Sequence, residues 1–158
     1  MSPDNHAPDT VAIVEALNQL VADTVVLYYK TRNFHWNVQG PSFFTLHAEF
    51  EALYTALVTH IDDLAERVRM LHGVPITTLA NAIEQSRVEE APGVWPAEKM
   101  TNALAADIAT VVADINQAAT LADNAGDRTT VDILDDVRDD LAKRGWMFES
   151  FLGKAGNA

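Results

Sequence analysis

The chain has 158 residues, 48% of them hydrophobic, which suits one domain with a core of its own. Its net charge of −12 and isoelectric point near 4.6 weigh against electrostatic capture of DNA, RNA or an anionic membrane, because phosphate binding needs clustered Lys and Arg. The absence of cysteine removes disulfides and thiolate metal sites, and is neutral about compartment.

Residues 1–8 read as a loose tail. Their "MSPDNHAPDT" start lacks the basic opening and apolar segment of a secretory signal, so the cytoplasm is the expected location. Helical periodicity then dominates, and no uninterrupted apolar run reads as long enough to span a membrane. A first helix is expected from Asp9 to Asn37, broken by Gly40-Pro41-Ser42, with Ser42 a candidate cap for the next. The second runs from Phe43 to His72 on a stripe of Leu46, Phe50, Leu53, Leu57, Ile61, Leu64, Val68 and Leu71, and ends at Gly73 and Pro75. Residues 74–96 form a long connection in which "TTLANAIEQS" reads as a short helix. A third long helix spans Ala97 to Asn124, with Met100, Leu104, Ile108, Val111, Val112 and Ile115 inward. Gly126 punctuates, a fourth runs from Arg128 to Leu152, and 154–158 form a short tail. Two short turns and one long crossing connection predict an all-α, ferritin-like four-helix bundle over 9–153, with a short extra helix between the second and third long helices.

The polar interruptions of the second long helix form a pattern. His47 and Glu51 are four residues apart, as are Asp62 and Glu66, so each pair projects from neighbouring turns of one face. At roughly 100° per residue all four fall within an arc of about 100°. Imidazole and carboxylate together suit Fe(II), Zn(II) or Mn(II). Glu51 and Asp62, however, stand eleven residues apart, about 16 Å along the axis, so the pairs cannot share an ion within one helix. The midpoint of the pairs lies near Ala56 and Leu57. Two copies of the helix packed antiparallel about a two-fold axis there would bring His47 and Glu51 of one chain opposite Asp62 and Glu66 of the other. His35, ending the first helix, could join His47 of its own chain. Carboxylates four apart also read as a solvated helix face, and spacing alone does not decide between the two. Trp36 reads as packing, or as a source of electrons beside His35. His6, His60 and His72 read as surface residues. The acidic stretch "LADNAGDRTTVDILDDVRDD" reads either as a solvated face laced by Arg128, Arg138 and Arg144, or as a cation path.

The segments "FHWNVQGPSFFTLH", "IDDLAERV" and "WMFESFLGKAG" resemble the Dps family, the ferritin-like DNA-binding proteins from starved cells. The resemblance covers the chain after its tail. It implies a homo-oligomeric shell, a dodecamer, that oxidises Fe(II) with hydrogen peroxide in preference to oxygen and stores the Fe(III) mineral. It implies a ferroxidase centre across the two-fold interface, with His35, His47 and Glu51 from one subunit, Asp62 and Glu66 from the next, and Trp36 beside it. The Glu51 position is often aspartate in the family; glutamate keeps the charge and reaches one methylene further. Asp123, Asp127 and Asp132 match the region lining three-fold iron pores, although Arg128 stands where some relatives carry another acid. Members that bind DNA directly use a Lys-rich tail, whereas here no Lys or Arg precedes Lys30 and the C-terminal end offers only Lys154. Direct DNA binding is therefore not expected. The alternatives are a shell that sequesters a divalent metal such as zinc without turnover, and a DNA-compacting protein.

Overall fold

Punctuation by Gly and Pro divides the chain into helices much as the periodicity demands. The computed structural model describes residues 8–154 and 156. His6, the rest of the segment 1–7, and residues 155, 157 and 158 of the short C-terminal tail lie outside the described residues. The elements are α1 (Pro8–Asn37), α2 (Phe43–Met70), the short α3 (Leu79–Gln85), α4 (Ala97–Asn124) and α5 (Arg128–Phe151). Among the described residues there is no strand. α1 packs on α2 and α4, α5 packs on α4 and α2, and α3 lies against α1, which closes a four-helix bundle with an extra helix in the crossover.

Three helices end in the same way. After α4, Gly126 N–H bonds the Asp123 carbonyl at 3.0 Å and Asp127 N–H bonds Ala122 at 2.9 Å, with Gly126 at φ 74°. This is a Schellman closure, in which the residue after the cap takes the left-handed conformation that glycine adopts without a Cβ clash. Gly153 does the same after α5. After α2 the left-handed position is taken by His72, at φ 64°, while Gly73 N–H reaches Val68 at 2.9 Å. The stop read at Gly73 therefore acts one residue earlier. Gly73 is small for another reason: a Cβ there would lie 2.7 Å from Val14 on α1.

Two further expectations change. Ser42 makes no side-chain capping bond; backbone bonds from Phe43 to Gly40 (3.0 Å) and from Leu46 to Ser42 (2.9 Å) close the turn instead. Ile61, Leu71 and Val112, read as inward, are only half-buried. α1 is long and apolar enough by composition to cross a membrane, with mean hydropathy 1.5, yet half of that stretch is buried within the bundle.

The core runs the length of the bundle, through Leu17, Leu20, Leu27 and Phe34 of α1, Phe50, Leu53, Leu57 and Leu64 of α2, Met100, Leu104 and Ile108 of α4, and Leu134 and Leu141 of α5. Phe50 is fully buried between Phe34 and Phe148, with ring centroids 6.2 and 6.0 Å away. Polar groups inside are paired across elements. Lys30 meets Asp107 at 2.7 Å between α1 and α4. Buried Asp23 accepts from Gln19, Ser86 and the Arg87 N–H, which ties the crossover to α1. Burial pushes the Asp23 carboxyl up from its ordinary range, against those hydrogen bonds.

The end of α2 is fastened to the start of α5. Arg67, buried, donates to the Thr130 hydroxyl at 2.8 Å and to Asp127 at 2.7 Å. Asp127 also caps α5, accepting from the Thr130 N–H at 3.0 Å and its hydroxyl at 2.5 Å. Burial alone would raise the Asp127 carboxyl, but the bonds from Thr130 and Arg67 outweigh it and hold it below the usual value. A carboxyl depressed in the folded state contributes stability that is fully present above its unfolded value near 3.8 and is lost as pH falls through the folded value. Asp127→Ala should therefore cost about 2–4 kcal/mol at neutral pH, through the lost cap and the stranded Arg67. Denaturant titrations at several pH values should show the difference from wild type shrinking in acid.

Candidate metal centre

The site is built where α1 stops and α2 starts. His35 lies in the last turn of α1 and is 9% exposed; His47 lies in the second turn of α2 and is half-buried. The short turn through Gly40 folds the helices back so that the two imidazoles stack, with centroids 3.7 Å apart and planes 19° apart. Each ring is locked by the other residue's backbone: His35 Nδ1 lies 2.8 Å from the His47 carbonyl oxygen, and His47 Nδ1 lies 2.8 Å from that of His35. A carbonyl can only accept, so both Nδ1 atoms carry the proton. In the neutral rings both Nε2 atoms keep a free lone pair, which is the arrangement that metal-binding histidines take. Phe43 covers the outer face of His47, 4.8 Å between centroids, and fixes its plane.

Glu51, Asp62 and Glu66 are exposed on α2. Among the described residues no three His, Asp or Glu side chains gather to hold an ion within one chain. The structure thus brings His35 to His47, leaves Glu51 one turn further along the same face, and keeps Asp62 and Glu66 remote. Between the two acidic ends that face is apolar. Ile61 lies only about 40° round the helix from His47, and Val58 is 46% exposed. Ile61 fits the apolar stripe of α2 by period, and its half-burial places it at the border of this second face.

Trp36 is 52% exposed, and its ring meets Tyr29 at 6.0 Å and the Arg32 guanidinium at 5.2 Å. It does not touch His35 by ring contact. Tyr54 does, edge-on at 5.2 Å. Sequence reading passed over Tyr54, although its place two turns beyond His47 on the same face was a usable signal.

His60, read as a surface residue, is half-buried and bonded to Asp140 of α5 at 2.7 Å. Burial would raise the Asp140 carboxyl, and the bonds from Arg144 and His60 bring it below its ordinary value instead. His72 is exposed. In the second acidic stretch Arg128 pairs with Asp123 at 2.8 Å and lies 3.9 Å from Asp132, all three largely exposed. Asp127 faces inward to Arg67 and Thr130 as described, so it has fewer free lone pairs than Asp123 or Asp132. Arg138 and Arg144 pair with neighbouring acids of α5.

The bundle, with its single long crossover and paired histidines beside helix-borne carboxylates, is that of the ferritin-like proteins. The ferritin-like domain model matches residues 14–157. The "DNA protection during starvation protein" of Brevibacillus brevis is 48% identical over 136 residues, covering 86% of this chain and 91% of that one. The crystal structure of a Dps protein from Bacillus brevis superposes with a TM-score of 0.90 at 44% identity, covering 93% and 99% of the two chains. That of a Vibrio cholerae Dps protein, described as a member of the ferritin-like diiron-carboxylate proteins, gives 0.88 at 30% identity, with 91% of each chain covered. The chain belongs to the ferritin-like family and, within it, to the Dps proteins.

Proposed function

We propose that the chain is a ferroxidase and iron-storage protein, working in the cytoplasm as a homo-oligomeric, dodecameric shell that protects against oxidative stress. The observation that carries this reading is the reciprocally locked histidine pair. Two imidazoles held with both Nε2 atoms free, one turn from Glu51, form half of a mixed nitrogen and oxygen site. Asp62 and Glu66 are the complementary half, presented by a second copy across a two-fold axis. The exposed apolar strip between them supplies the contact.

In this reading Fe(II) is the substrate, held by His35, His47 and Glu51 of one subunit and Asp62 and Glu66 of the next. Hydrogen peroxide takes two electrons, one from each of two Fe(II) ions, and two protons, and becomes two waters; oxygen is the slower oxidant. Pairing two one-electron donors with a two-electron oxidant avoids hydroxyl radical. The Fe(III) product is stored as mineral inside the shell. Iron enters through acidic pores at Asp123 and Asp132, with Asp127 holding the pore wall through its cap and its bond to Arg67. Zinc, the ion in which crystals of the Listeria innocua Dps were soaked, suits the same donors and is expected to compete. The deciding experiment loads purified apo-protein with Fe(II) anaerobically and compares peroxide with oxygen as oxidant. Oxidation much faster than that of free iron, and faster with peroxide, is the expected result. A rate equal to that of free iron would move the function to metal sequestration.

Direct DNA binding is not part of this proposal, despite the relatives' name. The first basic residue, Lys30, is buried against Asp107, and the surface is acidic. Repulsion of a polyanion should win at physiological salt. A gel-shift assay should leave duplex DNA unretarded; tight, magnesium-independent retardation at low salt would count against this.

A further inference from the structure

α3 is held to the bundle by polar bonds at its C-terminal end more than by its own apolar surface. Of its seven residues only Ala82 is buried, while Leu79 and Ile83 are exposed. The bonds collect where α3 ends. Gln19 of α1 donates to the Gln85 carbonyl at 2.8 Å. One oxygen of Asp23, Oδ1, accepts from Gln19 at 3.1 Å, the Ser86 hydroxyl at 3.2 Å and the Arg87 N–H at 2.7 Å. The guanidinium of the same Arg87 pairs with Oδ1 of Asp114 on α4. Further on, Val88 and Ala91 are buried, so this polar fastening governs α3 and its junction rather than the whole connection.

Each of the two carboxyls has a second oxygen, Oδ2, that is buried and makes no hydrogen bond. Asp23 is fully buried and the Asp114 side chain is 10% exposed. A buried polar atom without a partner is costly, so both oxygens call for a donor. Lys30 cannot supply it. It pairs with Asp107 two turns further along α1, where Glu89 of the crossover adds another negative charge. Among the described residues no side chain of α2, α3 or α5 bonds to Asp23 or Asp114. Two carboxyls therefore face one guanidinium, and that guanidinium is more than half exposed.

We propose that Asp23 and Asp114 share one proton through these two oxygens, and that the shared proton latches the end of α3 to the seam between α1 and α4. A proton taken from solvent onto Asp23 Oδ2 makes that group a donor, with Asp114 Oδ2 as acceptor. The seam then holds one carboxylate against one guanidinium and is neutral. Removing the proton leaves two buried carboxylates against Arg87. Their repulsion, where water is largely excluded, is relieved when the junction lifts and admits solvent. A metal ion fits less well, because among the described residues no three His, Asp or Glu side chains gather to hold one. Burial raises the Asp23 carboxyl, the bonds from Arg87, Gln19 and Ser86 lower it, and the charge of Asp114 raises it again, with a net rise. A carboxyl raised on folding holds its proton more tightly in the folded chain. Its contribution is fully present below the unfolded value near 3.8 and is lost as pH rises through the folded value, opposite in sign to Asp127.

The test follows hydrogen exchange of the assembled protein by mass spectrometry at several pH values, each rate divided by the intrinsic rate at that pH. In wild type, protection over residues 82–87 should fall about tenfold between roughly pH 4 and pH 8, while the middle of α4 stays level. Asp23→Asn keeps an oxygen for Arg87, Ser86 and Gln19 and puts an N–H where the proton sits, so its protection should not change with pH. Asp114→Asn offers its amide to Asp23 from the other side and should also remove the pH dependence, even though it loosens Arg87. Wild-type protection that is flat with pH, or that falls equally over the whole chain, overturns the latch. So does either variant following the wild-type curve. Manganese chloride that restores protection at high pH in wild type but not in Asp23→Asn assigns the pair to a cation, and overturns the shared proton.

Discussion

Chains carrying His47→Ala and chains carrying Asp62→Ala are each expected to lose peroxide-driven iron oxidation, and to recover about a quarter of it when co-assembled. The reasoning is geometric. Glu51 and Asp62 are separated by about 16 Å along α2, and among the described residues no three candidate ligands gather within one chain. If a centre takes His47 from one copy and Asp62 from the other, a mixed pair has one centre with both residues intact and one lacking both. Random pairing makes half of the pairs mixed, and one of their two centres works, which gives about a quarter of the wild-type number. The mixture is made by dissociating and reassembling the two variants together, and the initial rate is read against wild type at equal iron. Rates no higher than either variant alone would sink the shared centre. A single variant that keeps the wild-type rate would remove that residue from the ligand set.

The largest effect on stability is expected at Phe50. The ring is fully buried where α1, α2 and α5 meet, touching Phe34 and Phe148. Phe50→Ala removes the buried area and leaves a cavity that rigid helices only partly close, a loss of about 3–5 kcal/mol. Phe50→Leu refills part of that volume and should lose less. Subunit assembly contributes to apparent stability, so unfolding by denaturant is compared at one protomer concentration. Equal midpoints for wild type and Phe50→Ala would contradict the packing described. Phe50 also precedes Glu51, so the alanine variant should oxidise iron more slowly even while folded.

The helices were legible because their signals are local. Apolar residues every three or four positions, Gly126 and Gly153 after the last turns, and one long connection leave little freedom in an all-α bundle. The misreadings share one cause, a residue whose local signal fits two roles. Ile61 fits the core stripe by period, but it sits at the border between that stripe and the ligand face. Gly73 looks like a helix stop, while the left-handed position fell to His72 and the glycine serves the close approach of Val14. Ser42 has the chemistry of a cap, but the turn through Gly40 satisfies the backbone without it. The bond of Asp127 to Arg67, sixty residues away in the chain, carries no local signal and is seen only in the fold.

By itself the sequence determined the bundle and the candidate ligands, and showed that the two ligand pairs of one helix cannot share an ion, because helical rise and angular period turn residue numbers directly into distances along one helix and positions around it. Only the tertiary structure decided how His35 and His47 face each other. Their stacking and exchanged carbonyl bonds depend on the angle at which two helices meet, which a turn of five residues between Asn37 and Phe43 transmits but does not spell out. The same holds for Tyr54 beside His35. Contacts between helices depend on how side-chain ridges interlock, and that is settled by the whole core together.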